Sequence, residues 1–276
     1  MDFYDRYIII KLKDYAFSRK DTAMTLGAQL FSLRNFLKTP EDLRETFRKV
    51  KEIGYDNVQF SGAQIEDPYL LRDLSQEFDL PIVLTHTSLT KMLEETDRVI
   101  NEHKIIGCPS IGLGVMTKEA LADPEEARKF VEKMRAPIAK MEDAGLRFAY
   151  HNHNFEFNLD MGDGRTLYDF LIDACPNWQM IFDTYWVQFA GRDVCEYLRK
   201  VGGERLVNVH FKDMANSKKR SIVACGTGVL DFEKIYATCK ELGVKHVLIE
   251  QDNAVEMPDP FEQMEIGFNN LRPIVH

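Results

Sequence analysis

Residues 146–157 have the sequence LRFAYHNHNFEF, in which an apolar run is followed at once by two histidines and a glutamate. The apolar part predicts a β-strand, and the polar part lies where that strand ends. Alternate side chains of an extended chain share a face, so His151 and His153 are expected to point the same way. Such a cluster is suited to holding a cation or moving a proton, provided that other strand ends supply matching groups.

On either side of this stretch the chain alternates short apolar strands with amphipathic helices. The predicted strands cover residues 26–30, 56–60, 81–84, 110–113, 147–150, 179–182, 206–211 and 247–249. Eight such strands with intervening helices in a chain of 276 residues predict a single-domain α/β fold, the (β/α)8 TIM barrel, which needs about 250 residues.

The domain organisation is expected to be simple, because no linker and no break in composition divides the repeating units. We expect residues 25–276 to form the barrel and residues 1–24 to be an N-terminal extension that carries no chemistry.

Composition narrows the class of protein. Hydrophobic residues make up 45% of the chain and charged residues 29%, which is typical of a soluble globular protein. A net charge of −9 argues against a grip on nucleic acid, and no apolar run approaches the roughly 20 residues of a membrane span. The five cysteines include no Cys-x-x-Cys pair, so we expect reduced thiols in a cytoplasmic protein.

The later strand ends do supply matching groups. Asp183, His210 and Glu250 each follow an apolar run, and the carboxyl ends of parallel barrel strands meet at one rim. Burying these groups together would be costly unless a cation lay among them. Carboxylates with one or two imidazoles suit a divalent ion, with Mn²⁺ expected and Mg²⁺, Co²⁺ or Zn²⁺ as alternatives.

Each of these residues also has a simpler interpretation. Asp183 alone would be a helix cap, His210 a hydrogen-bonded core residue and Glu250 a salt-bridge partner. Their occurrence at successive strand ends favours a shared site, because caps and core histidines need not keep that register.

Further side chains are candidates for binding a substrate. Lys212 lies two residues after His210, so it shares that face and is suited to an oxygen or a phosphate. His86 and Gln29 follow the third and first strands and are suited to hydrogen bonds, while Trp186 is suited to an apolar wall. The turn Gly226-Thr227-Gly228 offers backbone N–H groups to a phosphate, although such glycines usually mark only a tight turn.

Five segments together resemble the xylose isomerase-like TIM-barrel superfamily, and within it the sugar phosphate isomerase/epimerase family with its inosose dehydratase-like members. They are LGAQLFSLR at 26–34, YHNHNFEF at 150–157, FDTYW at 182–186, VHFKDM at 209–214 and IEQD at 249–252. The resemblance extends from about residue 26 to residue 271, and its specificity comes from the linked set.

The resemblance implies a metal held by Glu, Asp, His and Glu from four strand regions, and Asp183, His210 and Glu250 match the last three. Many members place the first Glu directly on strand five, where this chain has His151. We prefer Glu156 as the first ligand, because the site otherwise loses a negative charge and a candidate base. His151 is the alternative ligand, and otherwise a substrate-binding residue.

The implied activity is that of a metal-dependent isomerase or epimerase acting on a small sugar or sugar phosphate through an enediolate. Glu156 and Glu250 would remove and return the proton from opposite faces of the substrate. His153 and Lys212 would hold substrate oxygens, and His86 would orient the substrate.

Other functions remain open. A lyase or dehydratase acting on a keto-sugar or inosose, including 3-keto-glycoside cleavage, would use His153 or His151 to protonate the leaving oxygen. A nuclease related to endonuclease IV is disfavoured by the few histidines and the net acidity. A non-catalytic barrel is disfavoured by the joint presence of Asp183, His210 and Glu250. The expected partner is a small carbohydrate, with no nucleic acid and no membrane, and a homo-oligomer is left open.

Overall fold

The computed structural model describes residues 24–64 and 67–275. The extension expected at residues 1–24 therefore lies, up to residue 23, outside the described residues.

The described chain forms a closed barrel of parallel strands. Its strands are Thr25–Gln29 (β1), Val58–Phe60 (β2), Ile82–His86 (β3), Ser110–Leu113 (β4), Arg147–His151 (β5), Gln179–Asp183 (β6), Leu206–Phe211 (β7), Asp213–Met214 (β8), Ile222–Val223 (β9) and His246–Ile249 (β10). The barrel closes in the order β1-β10-β7-β6-β5-β4-β3-β2, while β8 and β9 form a separate antiparallel ribbon. The prediction of an eight-stranded single-domain barrel is confirmed.

Helices cover the outside of the barrel between successive strands. They are Pro40–Ile53 (α1), Pro68–Glu77 (α2), Leu89–Glu94 (α3), Thr96–Ile106 (α4), Pro124–Asp143 (α5), Leu167–Ala174 (α6), Thr184–Phe189 (α7), Val194–Val201 (α8), Phe232–Glu241 (α9) and Pro260–Leu271 (α10). Short 3₁₀ helices lie at Leu30–Phe36, Phe155–Phe157, Gly203–Arg205 and Asp252–Glu256. None of the helices in the described part of the chain is long and apolar enough to span a bilayer.

Helix α1 shows how local sequence sets an element. The Thr39 hydroxyl accepts from the Asp42 N–H and the Asp42 carboxylate accepts from the Thr39 N–H, which is a capping box worth about 1 kcal/mol. Gly54 ends the helix with a φ of 113°, a left-handed conformation that favours glycine. The apolar face of the helix is buried through Leu43, Phe47 and Val50.

The barrel interior explains why chemistry gathers at one rim. Leu84, Ala149 and Ile181 form a small apolar cluster on three of the strands. Alternate residues of a strand share a face, so the next residues on that face are His86, His151 and Asp183. On each of these three strands, the apolar residue inside the barrel is therefore followed two residues later by a polar side chain at the carboxyl end of the strand.

Strand β4 contributes space to this rim. A Cβ added at Gly112 would lie 2.2 Å from the Thr85 carbonyl oxygen and 2.9 Å from Ile181 Cδ1. A Cβ at Gly114 would lie 3.3 Å from His86 Nδ1. Glycine at these two positions leaves room for the His86 ring beside β4.

Some elements differ from the sequence predictions. Leu30 begins a 3₁₀ helix instead of ending β1, because the Gln29 side chain accepts from the Phe31 N–H. The short helix α7 was not predicted, since its sequence TYWVQF is rich in β-branched and aromatic residues. The ribbon of β8 and β9 has two residues per strand, too few for a recognisable alternation.

The cysteines are as expected. All five lie within the described residues, and each is a free, buried thiol.

Candidate metal centre

Four side chains from adjacent strands converge at the carboxyl end of the barrel. They are His151 at the end of β5, Asp183 at the end of β6, His210 in β7 and Glu250 directly after β10. One ligand atom from each lies within 4.8 Å of the others, and all four residues are buried. We call this set the four-residue centre.

His151 presents a lone pair to the centre. Its Nδ1 donates to the Gly114 carbonyl oxygen at 3.2 Å, so Nε2 is the unprotonated nitrogen of the neutral ring. Burial, with the neighbouring His210, lowers the pKa of His151 to about 3, which keeps the ring neutral. Its Nε2 lies 3.4 Å from Asp183 Oδ2, and neither atom has a hydrogen-bond partner among the described residues. Two buried acceptors facing each other are costly unless a cation lies between them.

Asp183 has one oxygen committed to structure and one directed at the centre. Its Oδ1 accepts from the Trp186 N–H at 3.0 Å and so caps α7, while its own N–H donates to Asn152 Oδ1 at 3.0 Å. Burial raises the pKa of Asp183, an effect that the Lys212 ammonium opposes. The simpler role as a helix cap is therefore real, but it occupies only Oδ1.

Two glutamines orient His210 and Glu250. The Nε2–H of His210 donates to Gln59 Oε1 at 2.6 Å, which directs Nδ1 at Glu250 Oε2, 3.0 Å away. Gln29 Nε2 donates to Glu250 Oε1 at 3.0 Å. Burial raises the pKa of Glu250, but Lys212 and His210 outweigh burial and hold that pKa well below its usual range.

Lys212 brings a positive charge beside the centre. Its buried Nζ lies 2.6 Å from Asp252 Oδ2, 3.4 Å from Glu250 Oε2 and 3.5 Å from Asp183 Oδ2. Burial lowers the pKa of Lys212, but these three carboxylates outweigh burial and hold it above its usual value. The side chain is therefore an ammonium at neutral pH.

Three further predicted residues surround the centre. The ring centroids of His86 and His151 are 5.4 Å apart. The ring centroid of His153 lies 4.8 Å from that of His151 and 5.4 Å from that of Trp186. Burial and the neighbouring His151 lower the pKa of His153 to about 3. His86 Nε2, His153 Nδ1 and Trp186 Nε1 are buried without a hydrogen-bond partner in the described part of the chain. A polar ligand would satisfy such atoms.

Glu156, the preferred first ligand, lies outside the four-residue centre. Its Oε1 accepts from the Tyr150 hydroxyl, and its Oε2 accepts from the His153 N–H at 2.9 Å. Tyr150 alternates with the inward residues of β5 and packs with its ring centroid 6.1 Å from that of Trp178. The chain turns after His151 and buries Glu156 beside Tyr150, so His151, the alternative considered from the sequence, is the residue of this segment that lies in the four-residue centre.

The glycine turn is already filled. Gly226 N–H and Gly228 N–H donate to Asp213 Oδ2 at 3.0 and 2.7 Å. A buried carboxylate of the chain itself accepts from these N–H groups, which favours the simpler interpretation of the glycines as a tight turn over a phosphate site.

Sequence reasoning missed three residues that hold the site together, namely Gln59, Asn152 and Asp252. Asp252 follows Glu250 by two residues, and the rule of alternate faces would have included it. Gln59 stands between the apolar residues Val58 and Phe60 of β2, where an amide needs a partner. The identity of that partner, His210, depends on the closure of the barrel.

The four-residue centre fits a divalent cation. It offers two imidazole nitrogens and two carboxylate oxygens, and outer partners fix each imidazole through its other nitrogen. The unpartnered His151 Nε2 and Asp183 Oδ2 are the atoms that such an ion would satisfy.

The family follows from a comparison with family models. The model described as "Xylose isomerase-like TIM barrel" matches residues 47–273. The chain belongs to this family. A search of curated proteins finds no match.

Solved structures of the same fold lie at low sequence identity. A sugar phosphate isomerase/epimerase from Parabacteroides distasonis is 22% identical with a TM-score of 0.75, covering 91% of this chain and 100% of its own. The probable 3-DHS dehydratase AsbF from Bacillus anthracis is 14% identical with a TM-score of 0.70, covering 90% and 99%. The IolI protein, solved with a zinc atom, is 15% identical with a TM-score of 0.68, covering 91% and 98%. These likenesses show the fold.

Proposed function

We propose that this protein is a divalent-metal-dependent sugar isomerase or epimerase that moves a proton at the carbon beside a carbonyl, through an enediolate. The observation that carries the proposal is the four-residue centre, with two unpartnered ligand atoms at the rim where barrel enzymes hold their substrates. The sugar phosphate isomerase/epimerase of the same fold supports the substrate class.

The donor set favours a borderline ion over a hard one. Two imidazoles with two carboxylates suit Mn²⁺, Co²⁺ or Zn²⁺ better than Mg²⁺, and the zinc atom of IolI agrees with this preference. His151, Asp183, His210 and Glu250 would hold the ion. When bound, such an ion polarises carbonyl and hydroxyl oxygens and stabilises negative charge on them.

The chain's own residues then have distinct roles. Glu250 is ionised, accepts the proton that leaves one carbon and returns it to the neighbouring carbon, with Gln29 fixing its second oxygen. Lys212 donates a charge-assisted hydrogen bond to the oxygen on which negative charge develops. His153 and His86 offer their unpartnered ring nitrogens to substrate hydroxyls, and Trp186 closes one side of the site.

A lyase or dehydratase acting on a keto-sugar or inosose is the second candidate, including cleavage of a 3-keto-glycoside. The position of Glu156 favours it, because the residue expected to move a proton on the opposite face of the substrate is bonded instead to the Tyr150 hydroxyl and the His153 N–H. The neutral imidazole of His153 would accept the proton that leaves the carbon and pass the same proton to the leaving oxygen, which departs as water or an alcohol. The dehydratase of the same fold supports this alternative.

An unphosphorylated substrate is favoured over a sugar phosphate. Of the two features that the sequence offered for a phosphate, the glycine turn is filled by Asp213. Lys212 remains, but three carboxylates already surround its ammonium, so the site has no excess positive charge to attract a phosphate.

The test is a substrate panel with product identification in deuterated water. Protein loaded with Mn²⁺ or Zn²⁺ is incubated with ketoses, inososes and 3-keto-glycosides, each in its unphosphorylated and its phosphorylated form. We expect deuterium at the carbon beside the carbonyl and an isomeric or epimeric product, and D183N serves as the inactive control. Loss of water or of an aglycone would select the lyase. Absence of exchange on every member of the panel would contradict both proposals.

A further inference from the structure

The ammonium of Lys212 and a divalent ion would share two oxygens. Lys212 Nζ lies 3.4 Å from Glu250 Oε2 and 3.5 Å from Asp183 Oδ2. Asp183 and Glu250 both belong to the four-residue centre. The lysine is therefore an internal competitor for the cation site, because an ammonium that moved closer would neutralise the carboxylates that the ion needs.

Asp252 makes the closest contact with this ammonium. Its Oδ2 lies 2.6 Å from Lys212 Nζ, well inside hydrogen-bond distance, whereas the two oxygens of the centre lie at its limit. Asp252 is itself outside the four-residue centre. It thus provides a counter-charge that holds the ammonium without belonging to the ligand set.

Both ends of the Lys212–Asp252 pair are anchored. The Asp252 carbonyl oxygen accepts from Arg34 Nη1 at 2.8 Å, and the neighbouring Gln251 N–H donates to Ser32 Oγ at 2.9 Å. The Lys212 N–H donates to Thr184 Oγ1 at 3.1 Å. The backbone at Asp252 is therefore held against the 3₁₀ helix Leu30–Phe36, and the backbone of Lys212 is held against α7.

We propose that Asp252 is a positioning residue that holds the Lys212 ammonium off the ligand oxygens of Asp183 and Glu250 and so keeps the cation site open. The inference rests on the proposed metal-dependent function. Asp252 acts through Lys212, and without it the ammonium moves onto Asp183 Oδ2 and Glu250 Oε2, where it competes with the ion.

The test is a double-mutant cycle on metal affinity. Mn²⁺ and Zn²⁺ binding is measured by calorimetry for wild type, D252N, K212M and the D252N/K212M double variant. We expect D252N to weaken binding by about 10-fold or more, the range for residues that orient metal ligands. In the K212M background the same substitution is expected to have little effect, because the competing ammonium is gone.

The cycle separates positioning from a general loss of negative charge. An equal fold loss for D252N in both backgrounds would overturn the inference, and so would a D252N variant that binds like wild type. Retained affinity in D252E, which keeps the carboxylate, would support it. D259N, which alters an aspartate capping α10, is the matched control and is expected to bind like wild type. A wild-type protein that binds neither metal would instead overturn the proposed function itself.

Discussion

The two halves of the barrel rim differ in what they contribute. The ligand-bearing half, formed by β5, β6, β7 and β10, carries the four-residue centre and Lys212. The neutral half, formed by β1 to β4, carries Gln29, Gln59 and His86, and its strand β4 has glycine at position 112. One half thus supplies charge and the other supplies neutral hydrogen-bonding groups and space.

The comparison shows that three of the four side chains of the centre depend on the neutral half for their orientation. Gln59 fixes the ring of His210, Gln29 fixes Glu250, and the carbonyl of Gly114, directly after β4, fixes His151. The neutral half holds the charged groups at short distances where they would otherwise repel or rotate. The following variants break one half at a time.

The largest effect is expected from D183N, which removes charge from the ligand-bearing half. Asparagine keeps the cap on α7, so the fold is retained, but the unpartnered Oδ2 loses its charge. We expect Mn²⁺ affinity to fall by more than about 100-fold, beyond the range for outer partners. Calorimetry measures it. D193N, in which an aspartate caps α8 away from the centre, should bind like wild type. Equal affinities for the two variants would contradict the assignment of Asp183.

Q59M breaks the neutral half with a side chain of similar length. It removes the acceptor for His210 Nε2–H, so the ring is free to rotate or to change its tautomer. The expected loss of metal affinity is about 10- to 100-fold, smaller than for a ligand. Q76M, at an exposed position in α2, is the control. Unchanged binding by Q59M would mean that the two halves are independent.

E156Q tests Glu156, which is neither a member of the four-residue centre nor one of the neutral-half residues that orient it. Glutamine has one oxygen where the carboxylate uses two, so the bond from the Tyr150 hydroxyl must reverse or the bond from the His153 N–H is lost, and the buried charge-assisted contact with Tyr150 disappears. We expect the free energy of unfolding to fall by about 1–3 kcal/mol, with metal affinity close to that of wild type. Urea unfolding and calorimetry measure the two quantities. Loss of metal binding would restore Glu156 as a ligand.

The last effect appears only below neutral pH and concerns His103, a buried histidine that contacts β3 of the neutral half. His103 is buried, with Nε2 2.8 Å from Thr85 Oγ1 on β3, and burial lowers its pKa to about 4. Because the folded pKa lies below the unfolded value near 6.5, the stability it contributes is present above pH 6.5 and is lost as pH falls toward 4. H103Q removes this contribution. Between pH 7.5 and pH 5, the loss of stability should be about 2 kcal/mol smaller for H103Q than for wild type. If the free energies of unfolding of H103Q and wild type, measured with urea, changed by the same amount between pH 7.5 and pH 5, the result would contradict this prediction.

The fold and much of the site could be predicted from local rules. Alternation along strands and the position of strand ends placed Asp183, His210, Glu250 and Lys212 together, because each follows its own apolar run. The path of the chain after β5 could not be predicted in this way. Glu156 lies in the short 3₁₀ helix Phe155–Phe157 after β5, and this helix places its side chain beside Tyr150. An element of three residues is too short to produce a periodic pattern in the sequence.

Contacts across the barrel were also beyond local rules. Gln59 and His210 are separated by 151 residues in sequence and meet only because the sheet closes. The pairing of Gln29 with Glu250 across the β1–β10 seam is of the same kind. Local sequence thus indicates which residues carry charge, while the closed topology decides which neutral residue holds each of them.

The most direct measurement is anomalous diffraction from crystals grown with Mn²⁺. The account predicts one anomalous peak enclosed by the side chains of His151, Asp183, His210 and Glu250, with Glu156 still bonded to Tyr150. A peak beside Glu156, or the absence of any peak among these four side chains at saturating Mn²⁺, would contradict it.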